Sequence, residues 1–153
     1  MSRKTDTEWI EQATKELHAS GRRAGGARAE VISELSRETC AVSAEELERR
    51  LADSNRRVGR ASIYRALEAL AAVGLVHRVE VGEGGSRWER IGANGHDHHH
   101  HLLCGSCGQL VPFEDAGLEQ ALLELADRAA FTVDSHEVTL HGHCASCSEA
   151  KAA

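Results

Sequence analysis

The stretch GHDHHHHLLCGSC, residues 95–107, carries the densest run of metal-binding residue types in the chain. Thiolate sulfur and imidazole nitrogen are donors for zinc and the other later first-row dications. Cys104 and Cys107 form CGSC, and Cys144 and Cys147 form CASC. Thiolates at i and i+3 in a tight turn can both reach one ion at tetrahedral angles, and Gly108 favours such a turn. Two such pairs predict a structural Zn(II) site of four cysteines. One competing reading is a pair of thioredoxin-like redox motifs, but neither CxxC opens an obvious helix within a βαβ unit. A zinc deaminase centre is disfavoured, because H-x-E paired with P-C-x-x-C is missing. Cys40 stands alone and reads as a small buried apolar residue rather than a ligand.

The four consecutive histidines pose a geometric problem, since neighbouring side chains rarely point at one ion. An extended chain leading into HLLC would alternate them between faces. His98 and His100 then point one way, His99 and His101 the other, and the run serves two sites with two ligands each. Glu119, at the edge of an apolar helix stripe, and His136, in phase with Val138 and Leu140, could complete a site with His98 and His100. Nitrogen and oxygen donors of this kind suit Zn(II), Fe(II), Ni(II) or Mn(II). An internal run joined to the first CxxC argues against a tag; a solvated histidine-rich loop is the plain alternative. His18 reads as a surface residue.

These ligands need elements to position them. The 153 residues, 41% hydrophobic, suit one average domain or two small ones. No apolar run approaches membrane-spanning length, and MSRKTDTEWIEQ lacks the apolar core of a signal peptide, so a cytoplasmic protein is expected. The net charge of -6 hides a split. Residues 1–92 carry 16 Lys and Arg against 15 Asp and Glu; residues 93–153 carry 2 against 9, with eight of the ten histidines. Two modules are implied.

In the first, helices are predicted over 7–20, 27–38, 43–55 and 60–74, the third opened by the S-x-x-E capping box of Ser43 and Glu46. LVHRVEV and SRWERI alternate around GEGG as a β-hairpin. Helices followed by a two-stranded ribbon describe a winged helix-turn-helix, whose second helix enters the major groove. That helix turns Ile63, Leu67 and Leu70 inward and shows Ala61, Tyr64, Arg65 and Glu68 outward. Arg49, Arg50, Arg56, Arg57, Arg60 and Arg65 share a window with one acid, Asp53, a local excess of +5 suited to phosphates. Arg65 could fork onto a guanine edge and Tyr64 pack on a thymine methyl. A solvated arginine face is the bland alternative. In the second module, HLLC and QLVPF read as strands, 115–130 as a helix with Leu118, Leu122, Leu125 and Ala129 on one stripe, and 131–144 as a final strand. Its core is thin, and zinc and dimerisation would compensate.

The sequence resembles the ferric uptake regulator family of bacterial metal-responsive repressors over about residues 17–147. GRRAGGAR resembles the family's G-x-R-x-T-x-x-R, and RASIYRALEALAAVGLVHRV its A-T-V-Y-R-x-L-x-x-L-x-x-x-G-L-V. HHHHLLCGSCGQLVPFED and DSHEVTLHGHCASC resemble H-H-x-H-L-x-C-x-x-C-G-x-V-x-E-F and H-x-L-x-L-x-G-x-C-x-x-C. The resemblance implies a mainly α protein: a winged helix-turn-helix (1–91), a hinge (92–97) and an α+β dimerisation domain with a small antiparallel sheet (98–153). It implies a homodimer on a palindromic double-stranded operator, with no membrane partner. Tyr64, Arg65, Ser62, Arg60, Arg57 and Arg28 are the DNA-contacting candidates. His98, His100, Glu119 and His136 match the site in the dimerisation domain. Glu89 and His101 match the hinge site, usually considered the sensing one; His99 and His77 are further candidates there. Beside structural Zn(II), a second dication, Zn(II) or Fe(II), would act as corepressor. Four positions depart from the pattern: Gly25 stands where a threonine is usual, and three more fall around the metal sites. His100 replaces the usual Asp, as in zinc-responsive members; Ala41, preceded by Cys40, replaces a His; Pro112 replaces a Glu. The implied function is repression of zinc- or iron-uptake genes, not catalysis, since no H-E-x-x-H or spare carboxylate motif is present. A peroxide sensor of the same family and a zinc-storage protein are the alternatives.

Overall fold

The computed structural model describes residues 3–81, 85–92 and 99–152, the side chains of residues 3–5 and 150–152 excepted. The chain divides into two compact units, Met1–Asp97 and His98–Ala153. Of the expected hinge, only Gly92 is among the described residues, and His98 is not.

In the first unit, α1 (Arg3–Ala19) buries Trp9, Ala13 and Leu17 completely, one residue per turn on a single stripe. The indole of Trp9 donates to the carbonyl of Ile91 at 3.0 Å, tying α1 to the end of the wing. Helix α2 (Ala27–Leu35) buries Val31, Ile32 and Leu35 and ends three residues earlier than its periodicity suggested. Next come β1 (Val42–Ser43), α3 (Ala44–Asp53) and α4 (Arg60–Ala71). The capping box is present: Ser43 Oγ accepts from the Glu46 amide at 3.1 Å, and the Glu46 carboxylate accepts from the Ser43 amide at 2.8 Å. Helix α4 buries Ile63, Ala66, Leu67, Ala69 and Leu70 against α2 and α3. Gly74, at φ 70°, turns the chain out of α4 into the wing.

Strands β2 (Val76–Glu80) and β3 (Ser86–Arg90) pair antiparallel, and β1 adds to the free edge of β3, giving the order β1-β3-β2. The register sets His77 opposite Glu89 and Val42 opposite Trp88. The two-residue β1 was not foreseen, because so short a strand has no alternation to read.

The second unit contains β4 (His100–Cys104), β5 (Leu110–Phe113), α5 (Ala116–Arg128), β6 (Thr139–Gly142) and α6 (Ala145–Ala152). Its sheet, ordered β5-β4-β6, departs from the expected antiparallel arrangement: β4 and β5 are antiparallel, β4 and β6 parallel. A parallel neighbour requires a long excursion between the strands. Here the chain leaves the sheet at Phe113, beside His100, and re-enters at Thr139, beside His101. Helix α5 and residues 129–138 therefore make an excursion that returns to the histidine end of β4. The expected final strand over 131–144 shrinks to four residues, and a helix not expected from the sequence, α6, follows it. Among described apolar side chains of this unit only Leu103 and Cys104 are buried, and α5 has no buried residue.

Burial pushes the Glu46 carboxyl upward, but the Ser43 amide and the Arg87 guanidinium, 3.0 Å away, outweigh it and hold it below its ordinary value. Stability from this carboxylate is therefore full above the ordinary value and lost as pH falls through the lowered one. Ser43→Ala should cost about 1 kcal/mol in urea unfolding at neutral pH. Part of the capping stability should vanish in acid as Glu46 protonates.

Candidate metal centres and nucleic-acid face

The sulfurs of Cys104, Cys107, Cys144 and Cys147 lie within 4.8 Å of one another. Cys107 and Cys144 are 3.8 Å apart, the edge of a tetrahedron whose zinc–sulfur bonds are about 2.3 Å. Two local structures make this convergence. Cys104 ends β4, and the following turn closes with the Gly108 amide donating to the Cys104 carbonyl at 2.9 Å, Gly108 at φ 72°. Cys144 caps α6, with Ser148 and Cys147 amides donating to its carbonyl, so this CxxC opens a helix, but one that no strand follows among the described residues to make a βαβ unit. Parallel pairing of β4 with β6 brings the two ends together, and the Gly105 amide donates to Gly142 at 2.9 Å. The Cys144 amide donates to Cys104 Sγ at 3.3 Å, and with the neighbouring amides lowers that thiol to about 5. Crowding by the Cys144 sulfur, then by those of Cys107 and Cys104, pushes Cys147 up to about 12. One thiolate forms readily and the last resists, a conflict that a bound dication resolves. The donor set fits a closed, four-sulfur structural site, and leaves a redox pair without its usual separation from other thiols.

On β4, strand alternation sorts the described histidines. His100, 1% exposed, turns toward α5: its Nε2 is 2.7 Å from Glu119 Oε1. His136 Nε2, from the returning segment, is 3.0 Å from Glu119 Oε2. The three donors lie within 4.8 Å of one another, two nitrogens and an oxygen fit for a borderline dication. His98, the fourth expected member, lies outside the described residues. His99 and His101 form a separate pair with ring centroids 4.9 Å apart.

In the wing, His77 Nε2 stands 3.3 Å from the buried Glu89 carboxylate, as their cross-strand register requires. Cys40 departs from the expected buried apolar residue. It is half-buried, and its sulfur lies within 4.8 Å of a Glu89 carboxylate oxygen. No spacing rule joins positions 40 and 89; the β1–β3 pairing brings their two segments side by side.

On α4, Tyr64 is 41% exposed and Arg65 and Glu68 point outward beside it. The Arg65 guanidinium donates to Ser62 Oγ at 3.1 Å. The arginine-rich window is less cationic than its composition implied, because acids from elsewhere fold onto it. Arg50 pairs with Glu38, Arg56 with Glu30 at 3.1 Å, and Arg60 with Glu48 at 2.9 Å and Glu45 at 3.2 Å. Arg49, Arg57 and Arg65 are exposed, and no carboxylate among the described residues pairs with them. Arg28 is half-buried and donates to the Arg23 carbonyl at the start of α2.

Residues 19–141 match the model of the Ferric uptake regulator family. The chain is 36% identical over 104 residues to the ferric uptake regulation protein of Klebsiella pneumoniae, which takes in 68% of this chain and 65%, just under two-thirds, of that protein. The solved ferric uptake regulator of Vibrio cholerae superposes with a TM-score of 0.74 at 32% identity, covering 86% of this chain and 98% of the other. A solved zinc uptake regulator, complexed with zinc and DNA, has a TM-score of 0.55 at 27% identity, covering 97% of this chain and 99% of the other. The chain belongs to the ferric uptake regulator family, whose members are metal-responsive transcriptional regulators and not enzymes.

Proposed function

We propose that the protein is a homodimeric repressor that binds a palindromic operator when regulatory dications are bound. The observation that carries this reading is the division of the histidine run: His100 joins Glu119 and His136, while His99 and His101 pair apart. One ion is assigned to His98, His100, Glu119 and His136. A second, at the hinge, is assigned to Glu89, His99 and His101, with His77 supporting Glu89. The four cysteines hold Zn(II) structurally, and the zinc-type His100 favours Zn(II) over Fe(II) as corepressor.

The second unit supports a dimer. Leu123, Leu125, Phe131 and Leu140 are all more than half exposed, and an apolar hollow of about 390 Å³ runs between Leu122, Leu125, Ala129, Phe131 and Val133. Water at such a face is costly, and a second copy of the same face would exclude it. Two recognition helices related by a two-fold axis suit a palindrome. Tyr64 and Arg65 would contact bases; Arg57, Arg28, Ser62 and Arg60 would contact the backbone, Arg60 only after exchanging Glu45 and Glu48 for phosphate. Metal shifts the equilibrium toward the DNA-competent arrangement by binding it more tightly than the alternatives.

With the regulatory ions stripped and the four-cysteine zinc kept, operator affinity should fall, and Zn(II) should restore it better than Fe(II), Mn(II) or Ni(II) in a fluorescence-anisotropy titration. Affinity indifferent to every metal would sink the repressor reading. His100→Ala and His101→Ala should each lose one metal equivalent by elemental analysis, and the double variant two; if both single variants lose the same ion, the two-site assignment is wrong. Arg65→Ala should cost about 1–3 kcal/mol of operator binding while metal content stays unchanged.

A further inference from the structure

We propose that Cys40 is a thiolate ligand of the same ion that Glu89 binds, which makes the regulatory site a sulfur-containing one. The proposal rests on the hinge-site reading above and adds a residue that the usual ligand pattern does not contain. Four observations within the first unit carry it. Register continued from Ser43–Arg87 and Val42–Trp88 sets Ala41 opposite Glu89 and Cys40 opposite Arg90, one residue along from Glu89. Both flanks of this segment are pinned: Arg90 Nε donates to the Glu38 carbonyl at 3.0 Å, and Arg87 Nη1 to the Ala41 carbonyl at 3.4 Å. The Cys40 sulfur thereby sits within 4.8 Å of a carboxylate oxygen, a spacing that one dication bridges. Finally, Glu89 is 5% exposed and has His77 at 3.3 Å, so thiol, carboxylate and imidazole gather on one small, partly dry surface.

Ala41 fills the position where the family's histidine would stand, and its methyl is buried and has no donor atom. The neighbouring thiol provides one. A thiolate among nitrogen and oxygen donors changes selectivity, because soft sulfur favours Zn(II) and disfavours Mn(II). The segment is held by the Arg90 and Arg87 side chains donating to its carbonyls, so the ligand is positioned before the ion arrives.

The test is a Co(II) titration of the full-length protein with its four-cysteine zinc retained, as verified by mass spectrometry. Wild type should develop near-ultraviolet sulfur-to-cobalt charge-transfer absorption as the regulatory site fills. Cys40→Ala should lose that absorption and weaken Co(II) and Zn(II) binding at this site at least about tenfold, with far-ultraviolet circular dichroism unchanged. Cys40→His should recover affinity without the absorption. If Cys40→Ala keeps both the absorption and the affinity while Glu89→Ala and His101→Ala lose the ion, the thiolate is refuted and the hinge site stands. If Glu89→Ala and His101→Ala also bind Co(II) normally, the hinge-site reading itself fails, and this inference with it.

Discussion

The convergence of four cysteine sulfurs is the constraint on which the carboxy-terminal unit depends. That unit buries only Leu103 and Cys104 among its described apolar side chains. At about 25 cal/mol per Å² of buried apolar surface, so little burial does not offset the entropy of ordering β4, β5, α5 and β6. Coordination bonds across positions 104 and 144 would close the longest loop in the unit, and ligand–metal free energy becomes folding free energy. The cluster also sets direction. It holds the C-terminal ends of β4 and β6 side by side, and so holds the parallel register that returns His136 to His100 at the other end.

The cysteine cluster and the His100 cluster thus share one strand. Cys104 ends β4 and His100 begins it, so anything that secures the sulfur cluster also fixes where the imidazole points. The period of two along an extended chain does the rest. Consecutive histidines, which could not chelate one ion on a helix or a strand, are sorted into two separate groups of side chains. Glu119 is the hinge of the first: its two oxygens reach His100 and His136 from a helix that otherwise barely contacts the sheet. An ion there would fasten α5 to β4, and the apolar side of α5 offers the surface for a second subunit.

The amino-terminal unit works by the opposite rule. Trp9, Leu17, Ile32, Leu35, Leu47, Leu51, Ile63, Leu67 and Leu70 are fully buried, a contiguous core that needs no metal. Within residues 49–65 its surface charge is arranged by ion pairing: Glu30, Glu38, Glu45 and Glu48 neutralise Arg56, Arg50 and Arg60, which leaves Arg49, Arg57 and Arg65 as the exposed cations of that window.

By itself the sequence determined whatever depends on local periodicity and spacing. The helical stripes, the Ser43–Glu46 capping box, the wing hairpin and the two CxxC pairs are all short-range patterns, and each follows from side chains within a few residues of one another. The splitting of the histidine run was legible for the same reason, as strand alternation is a property of the backbone alone. Tertiary structure decided everything that joins distant positions. The parallel β4–β6 pairing could not be read, because both pairing modes leave the same alternation in a strand. Helix α6 was hidden in a segment too short and polar for an apolar stripe. The partners of Arg50, Arg56 and Arg60 lie outside that window, in α2, in the loop after it and at the start of α3, so a window count overstated the local charge. Cys40 meets Glu89 only because a two-residue strand, β1, is drawn onto the edge of β3. No pattern in the sequence marks that contact, since the bonds that align the two segments are the β1–β3 backbone ladder and the Arg87 and Arg90 side chains reaching carbonyls far away in sequence.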